Sequence, residues 1–330
     1  MRQPREEQGA SDSPAARPAR RRWPTVLAIA QTLALLTTLA GPFSYWAELL
    51  NSFRGQLLVP AVAMVVATAI GRRWYSCLAL VIAVLLTAGP VLVAWGPRGQ
   101  VTAGSPTVRA MSWNLLLNND DSRRVREVVD EVDPDLLLLL EYDEQWHEAL
   151  APLRSRYRHH LCQPRQSAYG IALYSRFPLT QKQLVEWGPR PTPAHQLMCD
   201  IQVPEHTLHF IGVHLSSPVN ARRWEHRDRQ LVLATEALGT PREPTLMMGD
   251  FNCVPWSTAL RNMLAATGLR DSRLGFGFQG SWPRGLGPLK IPIDQALVTP
   301  NVQILNRSVG PGAASDHLPI ILDLSIVPTN

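Results

Sequence analysis

Charge is distributed along this chain so unevenly that it divides the protein in two. No charged residue occurs from Trp23 to Ala47, from Gly55 to Gly71, or from Trp74 to Pro97. A helix rises about 1.5 Å per residue and a bilayer's hydrocarbon core is roughly 30 Å thick, so the first and third runs are long enough to cross it and the second is marginal. In the second run Leu57, Leu58, Val59, Ala61, Val62, Met64, Val65 and Val66 cover all faces of a helix, unlike the single apolar stripe of a soluble surface helix. Three transmembrane helices over residues 23–97 are therefore expected. The alternatives are a cleaved signal peptide followed by core helices, or a soluble helical domain.

Beyond Arg98 the pattern changes. Residues 98–106, with glycines, a serine and a proline, read as a linker, and residues 107–330 as a soluble domain. Thr107 to Trp113 alternates as a strand, Val125, Val128, Val129 and Val132 recur at helical spacing, and Asp135 to Leu140 forms an apolar buried strand. Further strands are expected at 171–174, 197–203, 208–213, 245–248, 293–298 and 318–327, with helices at 222–238 and 257–266. This alternation makes the domain α/β.

The net charge of +5 changes the picture little, because Arg2, Arg5, Arg17, Arg20, Arg21 and Arg22 outnumber the acids of an expected disordered tail, residues 1–22. Basicity is thus poor evidence for nucleic-acid binding. Arg222, Arg223, Arg227 and Arg229, interleaved with Trp224 and His226, read as a solvated helix face. The arginine clusters at 17–22 and at 72–73 should face the cytoplasm, which places the soluble domain outside if all three runs span. With two spans it returns to the cytoplasm. The runs hold no buried charge of the kind that marks an ion path, so transport is disfavoured. Cys77, Cys162, Cys199 and Cys253 lack the paired spacing of zinc sites, and a Cys162–Cys199 disulfide is the one pairing considered.

Polar residues cluster where the apolar strands end: Asn114 in Ser-Trp-Asn, Glu141 after five leucines, His214 in Gly-Val-His, Asp250 and Asn252 in Gly-Asp-Phe-Asn, Asp294 in Ile-Asp-Gln, and Asp316 with His317 in Ser-Asp-His. Strand ends are where a packed sheet presents side chains to a ligand. Each also has an ordinary reading. Asn114 suits a turn, Glu141 the end of a strand, His214 a core histidine, and Ser315-Asp316 a cap. Tyr169 and Arg165 are further candidates for phosphate contact, Arg176 suits phosphate or a structural turn, and the loop 276–289 with Phe278 and Trp282 suits substrate contact.

Taken in order with Gly-x-Ala-Leu-Tyr-Ser-Arg-Phe-Pro at 170–178, these motifs from residue 107 to about 327 are similar to those of the endonuclease/exonuclease/phosphatase superfamily. The resemblance implies a four-layer α/β sandwich of the deoxyribonuclease I type, here in a bacterial-type, membrane-anchored member. It implies a metal-dependent phosphoesterase: Asn114, Glu141 and Asp316 as the Mg²⁺ or Mn²⁺ ligands, and His214, Asp250, Asn252, Asp294 and His317 as catalytic residues. In that scheme Asp250 activates water, Asn252 holds it or a phosphate oxygen, His317 paired with Asp294 binds the phosphoryl group, and His214 assists the transition state. The implied substrate is a phosphate ester: nucleic acid, phospholipid or small molecule. Gln295 departs from the family, in which histidine often follows the aspartate. The other partner is the lipid bilayer, with no protein partner expected. A catalytically inactive scaffold of the same fold is the alternative.

Overall fold

The computed structural model describes residues 22–99, 106–187, 195–241 and 244–327. Nearly all of the expected tail, and residues 100–105 of the expected linker, lie outside the described residues. The apolar runs form α1 (Trp23–Thr37, continuing as a tighter helix to Phe43), α2 (Tyr45–Ser52), α3 (Arg54–Ile70) and α4 (Trp74–Leu92). Trp23–Phe43 and Trp74–Trp95 are long and apolar enough to cross a membrane. At 17 residues α3 is about 25 Å long and too short alone; α2 and α3 make a third span only as a pair bent by 70°.

The guanidinium of Arg73, between α3 and α4, donates to the Thr25 hydroxyl at the start of α1. One end of the bundle therefore carries the start of α1 and the α3–α4 turn, and the other carries α2 and the end of α4. Exposed aromatics mark both ends: Trp23, Trp74 and Tyr75 at the first, Phe43, Trp46 and Trp95 at the second. Amphipathic rings settle at the two bilayer surfaces, so this arrangement suits spanning helices.

Twelve strands follow among the described residues: β1 (Thr107–Asn114), β2 (Leu136–Leu140), β3 (His159–Gln163), β4 (Ile171–Ser175), β5 (Leu179–Glu186), β6 (His195–Val203), β7 (His206–His214), β8 (Thr245–Asp250), β9 (Arg270–Asp271), β10 (Asp294–Val298), β11 (Val302–Val309) and β12 (Ile320–Ile326). They form two sheets of six, ordered β11-β12-β1-β2-β4-β3 and β5-β6-β7-β8-β10-β9. Alternate residues of the interior strands meet between the sheets, as with Leu136, Leu138 and Leu140 against Leu197, Phe210 and Met248. The outer face of the first sheet packs on α5 (Ser122–Val132) and α6 (Glu144–Ala149) through Val125, Val128, Trp146 and Leu139. That of the second packs on α7 (Ala221–Leu238) and α8 (Thr258–Thr267) through Leu231, Ala234, Leu260 and Met247. The order is helices, sheet, sheet, helices.

One pairing left open by the sequence is decided, and one sequence expectation needs correction. All four cysteines are free, Cys162 lying in the first sheet and Cys199 buried in the second, so the considered disulfide is absent. Arg227 is not on a solvated face: it is 2% exposed, paired with Glu48 of α2 at 3.3 Å and with Asp228 at 2.6 Å. The helical bundle and the sandwich share a core in which Leu58, Ala61 and Val91 cluster with Val254, Trp256, Ile291 and Ile293.

Candidate active site

Strand register explains how residues distant in sequence converge. Parallel pairing of β1 and β2 sets Asn114 beside Leu140, one residue before Glu141. Parallel pairing of β7 and β8 sets His214 opposite Asp250, and antiparallel pairing of β8 and β10 sets Asp250 opposite Asp294. Asp316 and His317 stand just before β12, which runs antiparallel to β1. All eight expected site residues thus lie at one end of the two sheets.

Local geometry fixes each side chain. Glu141 turns out of β2 with φ of 55°, a left-handed conformation that non-glycine residues rarely hold without support. Support comes from the Leu117 amide, which donates to Glu141 Oε2 at 2.8 Å, and from Asn114 Nδ2, which donates to Oε1 at 3.1 Å. Asn114 Nδ2 is also 3.3 Å from Asp250 Oδ2, which links the expected ligand to the expected base. Gly249 has φ of +142°, and a Cβ there would stand 1.9 Å from the Val213 carbonyl oxygen, so only glycine allows β8 to pass β7 this closely. The Asn252 amide donates to Asp250 Oδ1 at 2.8 Å, and its side-chain Nδ2 donates to the Leu215 carbonyl at 2.9 Å.

Ser315 Oγ donates to the Asn114 carbonyl at 2.6 Å and accepts from the His317 amide at 3.0 Å, while Trp113 Nε1 donates to the His317 carbonyl at 3.1 Å. These bonds clamp Ser-Asp-His onto Ser-Trp-Asn. Asp294 Oδ2 lies 3.0 Å from His317 Nδ1, and Asp250 Oδ2 lies 3.7 Å from the Nε2 of both His317 and His214, beyond hydrogen bonding.

Electrostatics separates the roles of these groups. Burial pushes the Asp250 carboxyl up to about 7, against the pull of His317. For His317 burial opposes the charge, but Asp294 and Asp250 outweigh it and hold the ring up to about 10. Burial holds His214 below the usual histidine value. Polar atoms of Asp250, Asp294 and His317 gather within 4.8 Å of one another, as metal ligands do. A protonated imidazole offers no lone pair, however, so this trio reads better as an ion cluster in which His317 bonds Asp294 and stands near Asp250.

Donors for a hard cation lie beside it. Asp316 Oδ1 is buried with no hydrogen-bond partner, and its Oδ2 accepts only from Trp282 Nε1 at 2.7 Å among the described residues. An unpartnered buried carboxylate oxygen on a residue that lines the same cavity as Glu141 is the donor chemistry that Mg²⁺ or Mn²⁺ takes.

These groups open into a cavity of about 550 Å³ lined by Glu141, His214, Asp250, Asn252, Asp316 and His317. Sequence reasoning undervalued two further lining residues: Tyr169, 5.7 Å from the His214 ring, and Arg223, whose guanidinium donates to the Tyr169 hydroxyl at 2.6 Å. A tyrosine beside Gly170 was the available signal; the reach of Arg223 from α7 had none. Trp282 lines the cavity as expected of its loop, whereas Phe278 packs against Trp256. Arg176 binds Asp135, at the far end of β2 from the site, and is structural. Gln295 Nε2 donates to the carbonyls of Cys253 and Pro292, bracing the start of β10.

The sequence profile of a family described as Endonuclease/Exonuclease/phosphatase matches residues 111–317. Among solved structures, an endonuclease/exonuclease/phosphatase from Beutenbergia cavernae DSM 12333 is 22% identical, with a TM-score of 0.56 over 67% of this chain and 72% of that one. D. rerio TDP2 complexed with single-strand DNA product is 15% identical, with a TM-score of 0.57 over 66% of this chain and 99% of that one. The human Nocturnin catalytic domain with bound sulfate anion is 17% identical, with a TM-score of 0.54 over 68% and 96% respectively. At these identities the likeness establishes the fold alone. No curated protein matches the chain.

Proposed function

The chain belongs to the Endonuclease/Exonuclease/phosphatase family, and from that premise we propose that it hydrolyses a phosphodiester or phosphomonoester by in-line attack of activated water. The observation that carries this reading is that Asp250 and His317, clustered with Asp294, line one cavity together with Asp316 and its unpartnered oxygen.

Glu141 and Asp316, with Asn114, would hold Mg²⁺ or Mn²⁺. When bound, such an ion supplies positive charge to the phosphoryl oxygens as negative charge builds. Asp250, oriented at Oδ1 by the Asn252 amide, takes the proton of the attacking water, and a base whose pKa is near 7 suits that task at neutral pH. The Asn252 side chain holds the water or a phosphoryl oxygen in line with the scissile bond. Cationic His317, fixed by Asp294, donates from Nε2 to a phosphoryl oxygen. His214, kept neutral by burial, hydrogen-bonds the leaving oxygen.

We further propose a multi-pass location in the cell membrane with the catalytic domain on the extracytoplasmic side. Arg22, before α1, and Arg72 and Arg73, between α3 and α4, lie at the bundle end away from the site, which supports this orientation. The test of the metal role is Mn²⁺ titration followed by electron paramagnetic resonance, alongside turnover. Glu141→Gln should weaken ion binding and abolish hydrolysis; unchanged binding would remove Glu141 from the ligand set.

A further inference from the structure

One wall of the catalytic cavity is not made by the sandwich. Tyr45, Leu49, Ser52 and Phe53, from α2 and its junction with α3, line it together with Glu141, His214 and Asp250. They belong to the segment between two of the apolar helices, not to the catalytic fold.

Its position is fixed by several independent contacts. Glu48 pairs with buried Arg227 at 3.3 Å, the Asn51 carbonyl accepts from Trp256 Nε1 at 2.7 Å, and Gln56 Nε2 donates to the Lys290 carbonyl at 2.8 Å. Where α4 leaves the bundle, the Ala94 carbonyl accepts from the amides of Gly275 and Gly277, both at 2.9 Å. Burying an ion pair between an anchor and a catalytic domain fixes their geometry more than it adds stability. The site is therefore held at the bundle end, not on a free tether.

The cavity is polar at its floor and apolar along Leu49, Phe53, Val219, Ile291 and Ile293. Val219 at its rim is 65% exposed, and on the bundle Phe43 and Trp46, which flank Tyr45, are 88% and 75% exposed. At the end of a membrane bundle such side chains sit at the level of lipid head groups. Among the lining residues Arg223 is the one arginine or lysine. A nucleic-acid strand needs a row of cations along its backbone, and this cavity offers none beyond Arg223 and His317.

Resting on the hydrolase reading above, we propose that the substrate is an amphiphilic phosphate ester resident in the bilayer, with its phosphate on the catalytic floor and the start of its alkyl chain against α2. Water adds to phosphorus, the phosphorus–oxygen bond to the leaving group breaks, and the leaving oxygen departs as an anion or takes a proton. One water is consumed per ester.

The test uses the full chain in phosphatidylcholine nanodiscs with Mg²⁺ and two chromogenic diesters, methyl p-nitrophenyl phosphate and dodecyl p-nitrophenyl phosphate. The ratio of their kcat/KM values is compared between wild type and Leu49→Ser/Phe53→Ser. Membrane partitioning is common to both proteins and cancels. Loss of apolar contact with a few methylenes should lower the dodecyl-to-methyl ratio by about tenfold or more. An equal ratio in the two proteins would overturn the proposal. If the double variant does not fold, Leu49→Ser is read against Leu49→Met, which should keep the ratio. A single-stranded oligonucleotide cleaved with a higher kcat/KM than the dodecyl ester would also overturn it, while leaving the hydrolase reading in place. Failure of wild type to hydrolyse any of these esters would defeat the hydrolase reading itself.

Discussion

Asp250 illustrates how much chemistry one position inherits from its neighbours. A carboxylate 1% exposed would be costly if ionised alone, yet it receives the Asn252 amide and stands opposite the cationic His317. Asp250→Asn keeps the shape and removes the base. Turnover should fall by about 10²–10⁴-fold while the melting temperature holds or rises, because a strained buried acid is relieved. Steady-state kinetics beside thermal unfolding checks both halves. The candidate residues were legible in sequence because catalysis leaves polar side chains at the ends of apolar strands. Their pairings were less so: Trp113 to His317 and Ser315 to Asn114 join residues some 200 positions apart, and only sheet register brings them together. Arg227 was misread for a related reason, since its partner Glu48 lies in a different part of the chain.

Among elements, the interior strands were the readable ones. β1, β2, β4, β6, β7, β8, β10 and β12 are covered by layers on both faces and carry the long apolar runs that sequence reveals. The four strands that the pattern did not give, β3, β5, β9 and β11, are the four sheet edges. Edge strands carry polar side chains that discourage pairing with other molecules, as the exposed Thr180, Gln181, Lys182 and Gln183 of β5 do, and this erases the apolar signal. β8 carries the strictest local requirement. Gly249→Ala should destabilise the protein by about 3 kcal/mol through its clash with Val213 and its positive φ, measured by denaturant unfolding. β9 contributes a pH-dependent term. Burial would raise the Asp271 carboxyl, but Arg273 and Arg307 overcome this and hold it below its ordinary value of 3.8. Its folded pKa being depressed, the stabilisation is present above that value and lost as pH falls through the folded one. Arg273→Met should therefore move the midpoint of acid unfolding to higher pH.

In the whole molecule, bundle and sandwich behave as one body. Trp256, Val254, Ile291 and Ile293 lose their cover if the helices are removed, so a fragment of residues 107–330 should aggregate or melt well below the full chain in calorimetry. Glu48→Ala leaves Arg227 buried with Asp228 as its remaining acid and should cost about 1–3 kcal/mol in thermal unfolding of the full chain. The apolar runs led to the expectation of a membrane segment, and the motifs to that of the Endonuclease/Exonuclease/phosphatase family, whose profile the chain matches. Their union was not legible, because α2 with Glu48, Asn51 and Ser52 resembles an ordinary polar loop until it is seen against the site. The central claim is that one metal-dependent hydrolytic centre sits at the floor of this shared cavity. The most direct measurement is the initial rate of Mg²⁺-dependent hydrolysis by the detergent-purified full chain on DNA, RNA, phospholipids and phosphate monoesters, beside Asp250→Asn. The account predicts turnover of one class that vanishes on chelation and in the variant. Equal rates in the two proteins, or turnover indifferent to chelation, would contradict it.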